Sequence, residues 1–293
     1  MTKVLSISEA AKLVKTGDTV NISDKIPAMA MVREIIRQGA TNLFIEGAEA
    51  PAQALDMLAG LSRVKRYKCH SFDYLNAPNF RRAVERGEIK ATPHSEAAWM
   101  EMVRAVGIGN TFAVQRSLLK TDVFKSLEEM GDAKEIVCPF TGEKHVVLRA
   151  PKIDVFISHA VAASPEGTVQ MVNGYGSLFE PALMASKTII TVEEIISNDE
   201  VMRHPHKTAI PGSLVYAVVK VPFGVHPYSL EGEWDPYYEA DQDHLTKYVE
   251  MAQEPKGFKE YMDKFVFGIE DHWDYLNLIG LERLMELRHI GRV

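Results

Sequence analysis

One glutamate occupies a position where its carboxylate can do chemistry. Glu96 follows the loop Thr92-Pro93-His94-Ser95 and opens a run of apolar residues at helical spacing. We therefore expect Ser95 to cap a helix and Glu96 to lie in its first turn. The positive end of the helix dipole stabilises a carboxylate there. The side chain either helps to cap its helix or faces a ligand, and the sequence leaves both roles open.

A second group of polar side chains follows a predicted strand. Ser71, Asp73 and Asn76 come soon after the strand predicted for residues 64–69. Loops after buried strands are a natural place for groups that hydrogen-bond a substrate carboxylate or carbonyl. An Asx-type turn accounts for Asp73 and Asn76 equally well. We predict a substrate-binding loop here, with the turn as the alternative.

Two adjacent glutamates, Glu193 and Glu194, end a strand that begins near Thr188. Neighbouring residues of a strand point to opposite faces, so we expect one carboxylate to face inwards and the other to face solvent. Glu193 is a candidate substrate-binding residue. Holding the loop that follows the strand is an equal alternative for it.

Glycine-rich turns supply the remaining candidates. Gly107, Gly109 and Asn110 form a segment whose backbone N–H groups can face a phosphate or an oxyanion. A helix C-cap and turn explain the same residues. Gly174 lies in a second loop of this kind, between Asn173 and Gly176. We predict ligand contacts for both loops, and an ordinary connecting loop is the alternative for each.

Composition limits the class of function. A formal net charge of −7 over 293 residues argues against nucleic-acid binding, which usually needs a basic face. No stretch is apolar enough for a signal peptide or a membrane span. Cys69 and Cys138 are too few for a disulfide framework or a zinc site, and the histidines lack metal-ligand spacing. We expect a reduced, cytoplasmic protein that holds no metal.

Apolar strands that alternate with helices define the expected fold. Residues 155–158 and 188–192 read as buried strands on either side of a helix at 178–186, which is the pattern of a parallel crossover. We predict an α/β fold with an open, mostly parallel, doubly wound sheet and helices on both faces. Because no linker divides the chain, we expect residues 1–293 to be one domain, with 241–293 as a helical C-terminal cover.

Short motifs spread in order along nearly the whole chain point to one known family. They include Thr16-Gly17-Asp18, Asp154 to Ala160, Ala163-Ser164-Pro165-Glu166-Gly167-Thr168, Thr191 to Ser197, Ile210-Pro211-Gly212 and Gly224-Val225-His226-Pro227. Together they resemble the A (alpha) subunit of class I coenzyme A transferases, and within that class the glutaconate CoA-transferase type. The resemblance implies the fold predicted above and coenzyme A thioesters as substrates, with no permanently bound cofactor.

The same resemblance implies a partner chain. Class I transferases use a glutamate carboxylate as nucleophile, and in two-subunit members it belongs to the B (beta) subunit. This chain lacks that sequence context, since it contains no Glu-Asn pair. The resemblance therefore implies that this chain supplies half of an active site and works in a hetero-oligomer with a B (beta) subunit that supplies the other half. One departure concerns the loop after the first strand, where relatives carry Gly-Gly-Phe and this chain reads Asn21-Ile22-Ser23-Asp24-Lys25.

Two other functions stay open at this point. Ring-opening hydrolases of steroid catabolism form a divergent branch whose alpha subunit is similar. The resemblance of this chain to that branch implies that Glu96 is a catalytic general base for carbon–carbon cleavage in a CoA thioester. A non-enzymatic regulator is the third hypothesis, because sugar-phosphate isomerases and DeoR-type regulator domains share the fold. The lack of a winged helix-turn-helix segment and the negative charge argue against it.

Overall fold

The fold is built on a mostly parallel sheet. The computed structural model describes residues 2–172, 178–230 and 237–288. Their strands are β1 (Thr19–Ile22), β2 (Leu43–Glu46), β3 (Val64–Cys69), β4 (Lys90–Pro93), β5 (Phe112–Gln115), β6 (Ala133–Val137), β7 (Lys144–Arg149), β8 (Ile153–Ala163), β9 (Val169–Gln170), β10 (Ala185–Ile195), β11 (Thr208–Ile210) and β12 (Ala217–Lys220). Within the described residues, seven strands run parallel in the order β12-β10-β8-β1-β2-β3-β4. The predicted α/β class and mostly parallel sheet are confirmed.

Strand β8 is the centre of this sheet. Val155 lies opposite Val20 of β1 on one side and opposite Lys187 of β10 on the other. Nearly every residue of β8 is buried, which explains its continuous apolar sequence, since strands of a covered parallel sheet are apolar on both faces. Two short strands, β9 and β11, add an antiparallel extension beside the end of β8. The carboxyl ends of β1, β2, β3 and β4 therefore meet at one edge of the sheet.

Helices connect these strands and cover the sheet. They are α1 (Ile7–Ala11), α2 (Met29–Gln38), α3 (Ala52–Gly60), α4 (Pro78–Glu85), α5 (Glu96–Gly107), α6 (Asp122–Glu129), α7 (Phe179–Met184), α8 (Asn198–Arg203), α9 (Gln242–Ala252), α10 (Pro255–Met262), α11 (His272–Ile279) and α12 (Leu281–Leu287). A π-helical turn, Asp263–Phe267, continues α10. Helix α2 ends where Gly39 takes the left-handed conformation with φ of 85°, which is common for a glycine that follows a helix.

A small antiparallel sheet forms a second core. Strands β5, β7 and β6 pair in that order, and α5 and α6 pack against them. Trp99, Leu127 and Leu148 lie at the centre of this core. Ile153 of β8 and Met184 of α7 also belong to it, so the small sheet is joined to the central strand. A single domain over residues 1–293 stays a prediction that this continuity supports.

Two elements have no counterpart among the predicted strands and helices. Helix α4 begins with Pro78 in its first turn and buries Phe80 and Ala83. Strand β5 follows directly on the glycine turn at Gly109, and its short alternating pattern gives no strong strand signal. Tertiary pairing with β7 stabilises it.

The C-terminal helices cover one side of the sheet with aromatic residues. Tyr248, Tyr261 and Tyr275 are fully buried or nearly so. Arg33 of α2 lies 3.6 Å from the centre of the Tyr275 ring and donates a 3.3 Å hydrogen bond to the His226 carbonyl. The predicted helical C-terminal cover is confirmed. None of the helices in the described ranges has the length and apolar character that crossing a membrane requires.

Candidate functional site

A crevice with two adjoining chambers opens at the carboxyl ends of the parallel strands. The α5 chamber, of about 430 Å³, lies beside the start of α5, and the α9 chamber, of about 460 Å³, lies between α3 and α9. Asp24, Lys25 and Glu49 line both chambers, so the two chambers adjoin. This is where open α/β sheets bind their ligands.

Glu96 lies on the wall of the α5 chamber. The side chain of Ser95 accepts a 3.1 Å hydrogen bond from the Ala98 amide and so caps α5. The Glu96 side chain is exposed and makes no hydrogen bond or ion pair with any described residue. The capping role is therefore filled by Ser95, and the carboxylate of Glu96 is available to a ligand.

His94 and Trp99 hold the start of α5 in place. His94 Nε2 lies 3.1 Å from the Gly47 carbonyl oxygen, and Nδ1 lies 3.2 Å from that of Ser95. Its ring stacks on the ring of Trp99 with centres 5.5 Å apart. Burial lowers the pKa of His94 to about 4, so this histidine is neutral near pH 7. It ties α5 to the loop after β2 without adding charge to the crevice.

The glycine-poor loop after β1 forms the floor shared by the two chambers. Ser23 donates its backbone N–H to the Ile157 carbonyl at 3.0 Å, and its Oγ accepts from the Ile26 amide at 3.3 Å. These bonds hold the loop against the central strand. The backbone amides of Asp24 and Lys25 donate to no other described residue, although both residues line the crevice. The loop thus keeps two N–H donors beside the cavity without glycine.

The loop after β3 enters the α9 chamber with two of its three predicted residues. Asp73 and Asn76 line this chamber, whereas Ser71 lines neither chamber. Asp73 accepts hydrogen bonds from the backbone and side-chain amides of Asn76, at 3.1 Å and 2.8 Å. The Asx-type turn is therefore present, and it presents both side chains at the chamber wall. Ser71 accepts from the Tyr67 hydroxyl through its carbonyl.

The predicted glycine loops are not brought to the crevice. Gly107, Gly109 and Asn110 lie at the end of α5 opposite to Glu96, and none of them lines either chamber. Gly109 has a φ of 81°, and the Asn110 amide donates to the Ala105 carbonyl at 2.7 Å, which is a helix-ending turn. Gly174 lies outside the described residues, as does the rest of its loop.

Glu193 points into the protein interior, and Glu194 is exposed. Glu193 Oε1 accepts from His159 Nε2 at 2.9 Å and from the Tyr238 hydroxyl at 3.2 Å. Its Oε2 accepts from the Phe223 amide at 3.0 Å. The carboxylate is thus fully engaged in holding the loop after β12, and it does not line the crevice. His159 is a buried, hydrogen-bonded core histidine.

Several crevice residues give no signal of their own in the sequence. Asp24, Glu49, His70 and Glu180 line the chambers, yet each looks like an ordinary loop or helix residue in the sequence. Position along the chain is the signal that could have found them, since Asp24, Glu49 and His70 lie within three residues after β1, β2 and β3. Among the described residues, no group of three or more His, Cys, Asp or Glu side chains is placed to hold a metal ion.

Comparisons with known proteins agree on one family. The model described as Coenzyme A transferase matches residues 4–221. The chain is 36% identical to the alpha (A) chain of the glutaconate CoA-transferase of Acidaminococcus fermentans, covering 98% of this chain and 95% of the relative. It is 30% identical to the corresponding alpha (A) chain of the 3-oxoadipate CoA-transferase of Pseudomonas knackmussii, and the alignment covers 94% of this chain and 97% of the relative.

Solved structures give the same result. The crystal structure of glutaconate coenzyme A-transferase from Acidaminococcus fermentans aligns with a TM-score of 0.86 at 32% identity, covering 98% of this chain and 95% of that chain. A variant of the decarboxylase AibA/AibB aligns with a TM-score of 0.72 at 23% identity, and the alignment covers 89% of this chain and 99% of that chain. The second match shows a shared fold.

Proposed function

Because this chain belongs to the coenzyme A transferase family, we propose that it is the alpha subunit of a heteromeric CoA transferase. The resemblance seen in its motifs is confirmed, and the enzyme moves coenzyme A between an acyl-CoA and a carboxylic acid. The observation that carries this function is the match to a transferase alpha subunit over 98% of this chain. The crevice at the carboxyl ends of the parallel strands agrees with it.

The nucleophile in this proposal is a glutamate of the beta subunit. Its carboxylate attacks the thioester carbonyl of the acyl-CoA, which forms an acyl–glutamyl anhydride and releases the CoA thiolate. The thiolate then attacks the glutamyl carbonyl, which gives a glutamyl-CoA thioester and the free acid. The second carboxylic acid reverses these steps and leaves as its CoA thioester. Support comes from the absence of a Glu-Asn pair here and from the full engagement of Glu193 inside the protein.

This chain would contribute the walls and the oxyanion donors. Asp24 and Lys25 line the crevice, and their backbone amides, which have no acceptor among the described residues, are the candidate donors in the loop where the relatives carry Gly-Gly-Phe. Donors of this kind stabilise the negative oxygen that forms when a carbonyl is attacked. Trp99, Phe156 and Pro181 supply an apolar wall that limits access of water to the anhydride.

Mass spectrometry of the intact complex tests this function. The chain is co-purified with its partner and incubated with a panel of acyl-CoA esters. A covalent CoA adduct on the partner chain, together with transfer to an added acid, supports the proposal. An adduct on this chain contradicts the assignment of the nucleophile. A homo-oligomer that turns over no ester contradicts the transferase function itself.

A second candidate is a CoA-thioester hydrolase that cleaves a carbon–carbon bond with Glu96 as general base. The observation that favours it is the position of Glu96, whose carboxylate lines the α5 chamber without a described partner while Ser95 caps the helix. A carboxylate in such a place can remove a proton from a substrate or from water.

Substitution of Glu96 separates the two candidates. Glu96→Gln keeps the size of the side chain and removes its basicity, so hydrolysis should fall by about 100-fold or more if Glu96 is the base. Glu101→Gln, on the exposed part of the same helix, is the matched control. Transfer activity that stays within about threefold in Glu96→Gln favours the transferase, because no step of that reaction needs this base.

A further inference from the structure

Asn21 of β1 places a buried side-chain amide at the wall of the α5 chamber. Resting on the transferase proposed above, we propose that Asn21 is a substrate-binding residue whose Oδ1 accepts a hydrogen bond from an N–H or O–H group of the bound thioester. Two parts of such a ligand share this chemistry, namely the pantetheine amide nearest the sulfur and a hydroxyl of the acyl group. Asn21 is not among the site residues predicted from the sequence.

The position is unfavourable for an asparagine on grounds of stability. Its neighbours in β1, Val20 and Ile22, are each 2% exposed and pack in the hydrophobic core. Asn21 points to the opposite face of the strand, where it is 5% exposed and lines the α5 chamber. Asparagine is depleted in strands, and a buried amide is costly unless it is hydrogen-bonded. An apolar residue would therefore serve the fold better at this position.

One half of the Asn21 amide is engaged by the fold. Nδ2 donates a 2.9 Å hydrogen bond to the Glu46 carbonyl at the end of β2. The next residue must be small, because a Cβ at Gly47 would lie 2.5 Å from Nδ2. The contact also distinguishes the nitrogen from the oxygen, since a carbonyl accepts only from a donor. The amide group is therefore fixed in one orientation.

The other half of the amide is left to the chamber. Oδ1 accepts no hydrogen bond from a described residue, and it retains surface that a ligand can contact. Ser23, two residues further along, also lines the chamber, and its Oγ accepts from the Ile26 amide at 3.3 Å. The Ser23 O–H donates to no other described residue. Asn21 and Ser23 thus offer one acceptor and one donor to a ligand.

The ligand group that pairs with Oδ1 must be a donor. A thioester and a carboxylate offer only acceptors, whereas the pantetheine arm carries amide N–H groups and a hydroxy-acyl group carries an O–H. An amide fits the pair best, because its N–H can meet Asn21 Oδ1 while its carbonyl meets the Ser23 hydroxyl. Since every CoA thioester has the pantetheine arm, this contact would serve each substrate of the enzyme.

A cycle of substrates and variants tests the assignment. The first pair is valeryl-S-N-acetylcysteamine, which keeps the pantetheine amide nearest the sulfur, and its analogue with an ester in place of that amide. The second pair is valeryl-CoA and 3-hydroxyvaleryl-CoA. Ligand-observed NMR measures the dissociation constants for the complex of this chain with its partner subunit. The same measurements are made on the complex that carries Asn21→Leu.

The unsubstituted complex should bind the amide about tenfold more tightly than its ester analogue, because the analogue leaves an enclosed acceptor without a donor. Asn21→Leu should lose most of this preference. A preference for the hydroxy ester that Asn21→Leu abolishes instead supports the same role for Asn21 and assigns the donor to the acyl group. Preferences that stay within about twofold of the unsubstituted values in Asn21→Leu overturn the proposal.

Two further variants separate binding from folding. Asn21→Val, whose side chain suits a strand, should behave as Asn21→Leu does. Asn79→Leu removes another buried asparagine, one that donates to Asp56 and lines neither chamber, and should leave both preferences unchanged. An equal loss of affinity for all four ligands in the Asn21 variants would show a purely structural residue and overturn the proposal. Because transfer is followed in the same samples, an Asn21-dependent preference without CoA transfer removes the proposed function and keeps the binding residue.

Discussion

Replacement of Glu193 by alanine should destabilise the protein rather than impair ligand binding. The substitution removes the acceptor for three buried donors, which are His159 Nε2, the Tyr238 hydroxyl and the Phe223 amide. A buried donor without a partner costs about 1–3 kcal/mol, and three such donors lose their acceptor in this variant. We therefore expect the free energy of unfolding to fall by about 4 kcal/mol.

This loss converts into a measurable shift of the melting temperature. With about 2.1 cal/mol/K of unfolding entropy per residue, a chain of 293 residues has an unfolding entropy of about 0.6 kcal/mol/K. A loss of about 4 kcal/mol then lowers Tm by about 6 °C. Glu193→Gln should lower Tm by less, because its Oε1 still accepts while its amide faces the Phe223 donor.

The assay is thermal unfolding followed by circular dichroism, with binding of an acyl-CoA ester measured well below Tm. Glu194→Ala is the matched control, because Glu194 is adjacent and exposed and should change Tm by less than about 1 °C. The reasoning is refuted if the Glu193→Ala variant has the same Tm as the unsubstituted protein but binds the ester more weakly. That result would make Glu193 a ligand-binding residue.

Two further predictions concern ionisable groups in the interior. Burial lowers the pKa of His244 and of His272 to about 3, so between about pH 6.5 and pH 3 the unfolded chain binds protons that the folded chain does not. Stability should therefore fall on acidification through this window, and a Tm that is constant from pH 7 to pH 4 would contradict this. Asp132→Ala should lower Tm by several degrees, because it leaves buried Lys68 with Glu46 as its remaining anionic partner. The control is Asp122→Ala, which removes one member of the exposed Asp122–Lys125 ion pair. Equal Tm shifts in the two variants would rule out the buried network as the cause.

Helical ends were predictable where a local interaction determines them. Ser95 caps α5 through its own side chain, and Gly39 ends α2 in the left-handed conformation. Both outcomes depend on residues within one turn of the boundary, so the sequence alone was sufficient. Strand β5 was not predictable in this way, because its pairing with β7 joins residues that are distant along the chain.

The candidate site shows the same division. The sequence by itself determined the family, the parallel sheet and the place of Glu96 at a helix start, because these follow from motifs and from periodicity. Only the tertiary structure decided that Glu193 is buried, that Gly109 lies away from the crevice, and that Asp24, Glu49 and Glu180 share one cavity with Glu96. The physical reason is that strand pairing and helix packing bring together side chains that are far apart along the chain. No local sequence pattern predicts which of these side chains will be neighbours.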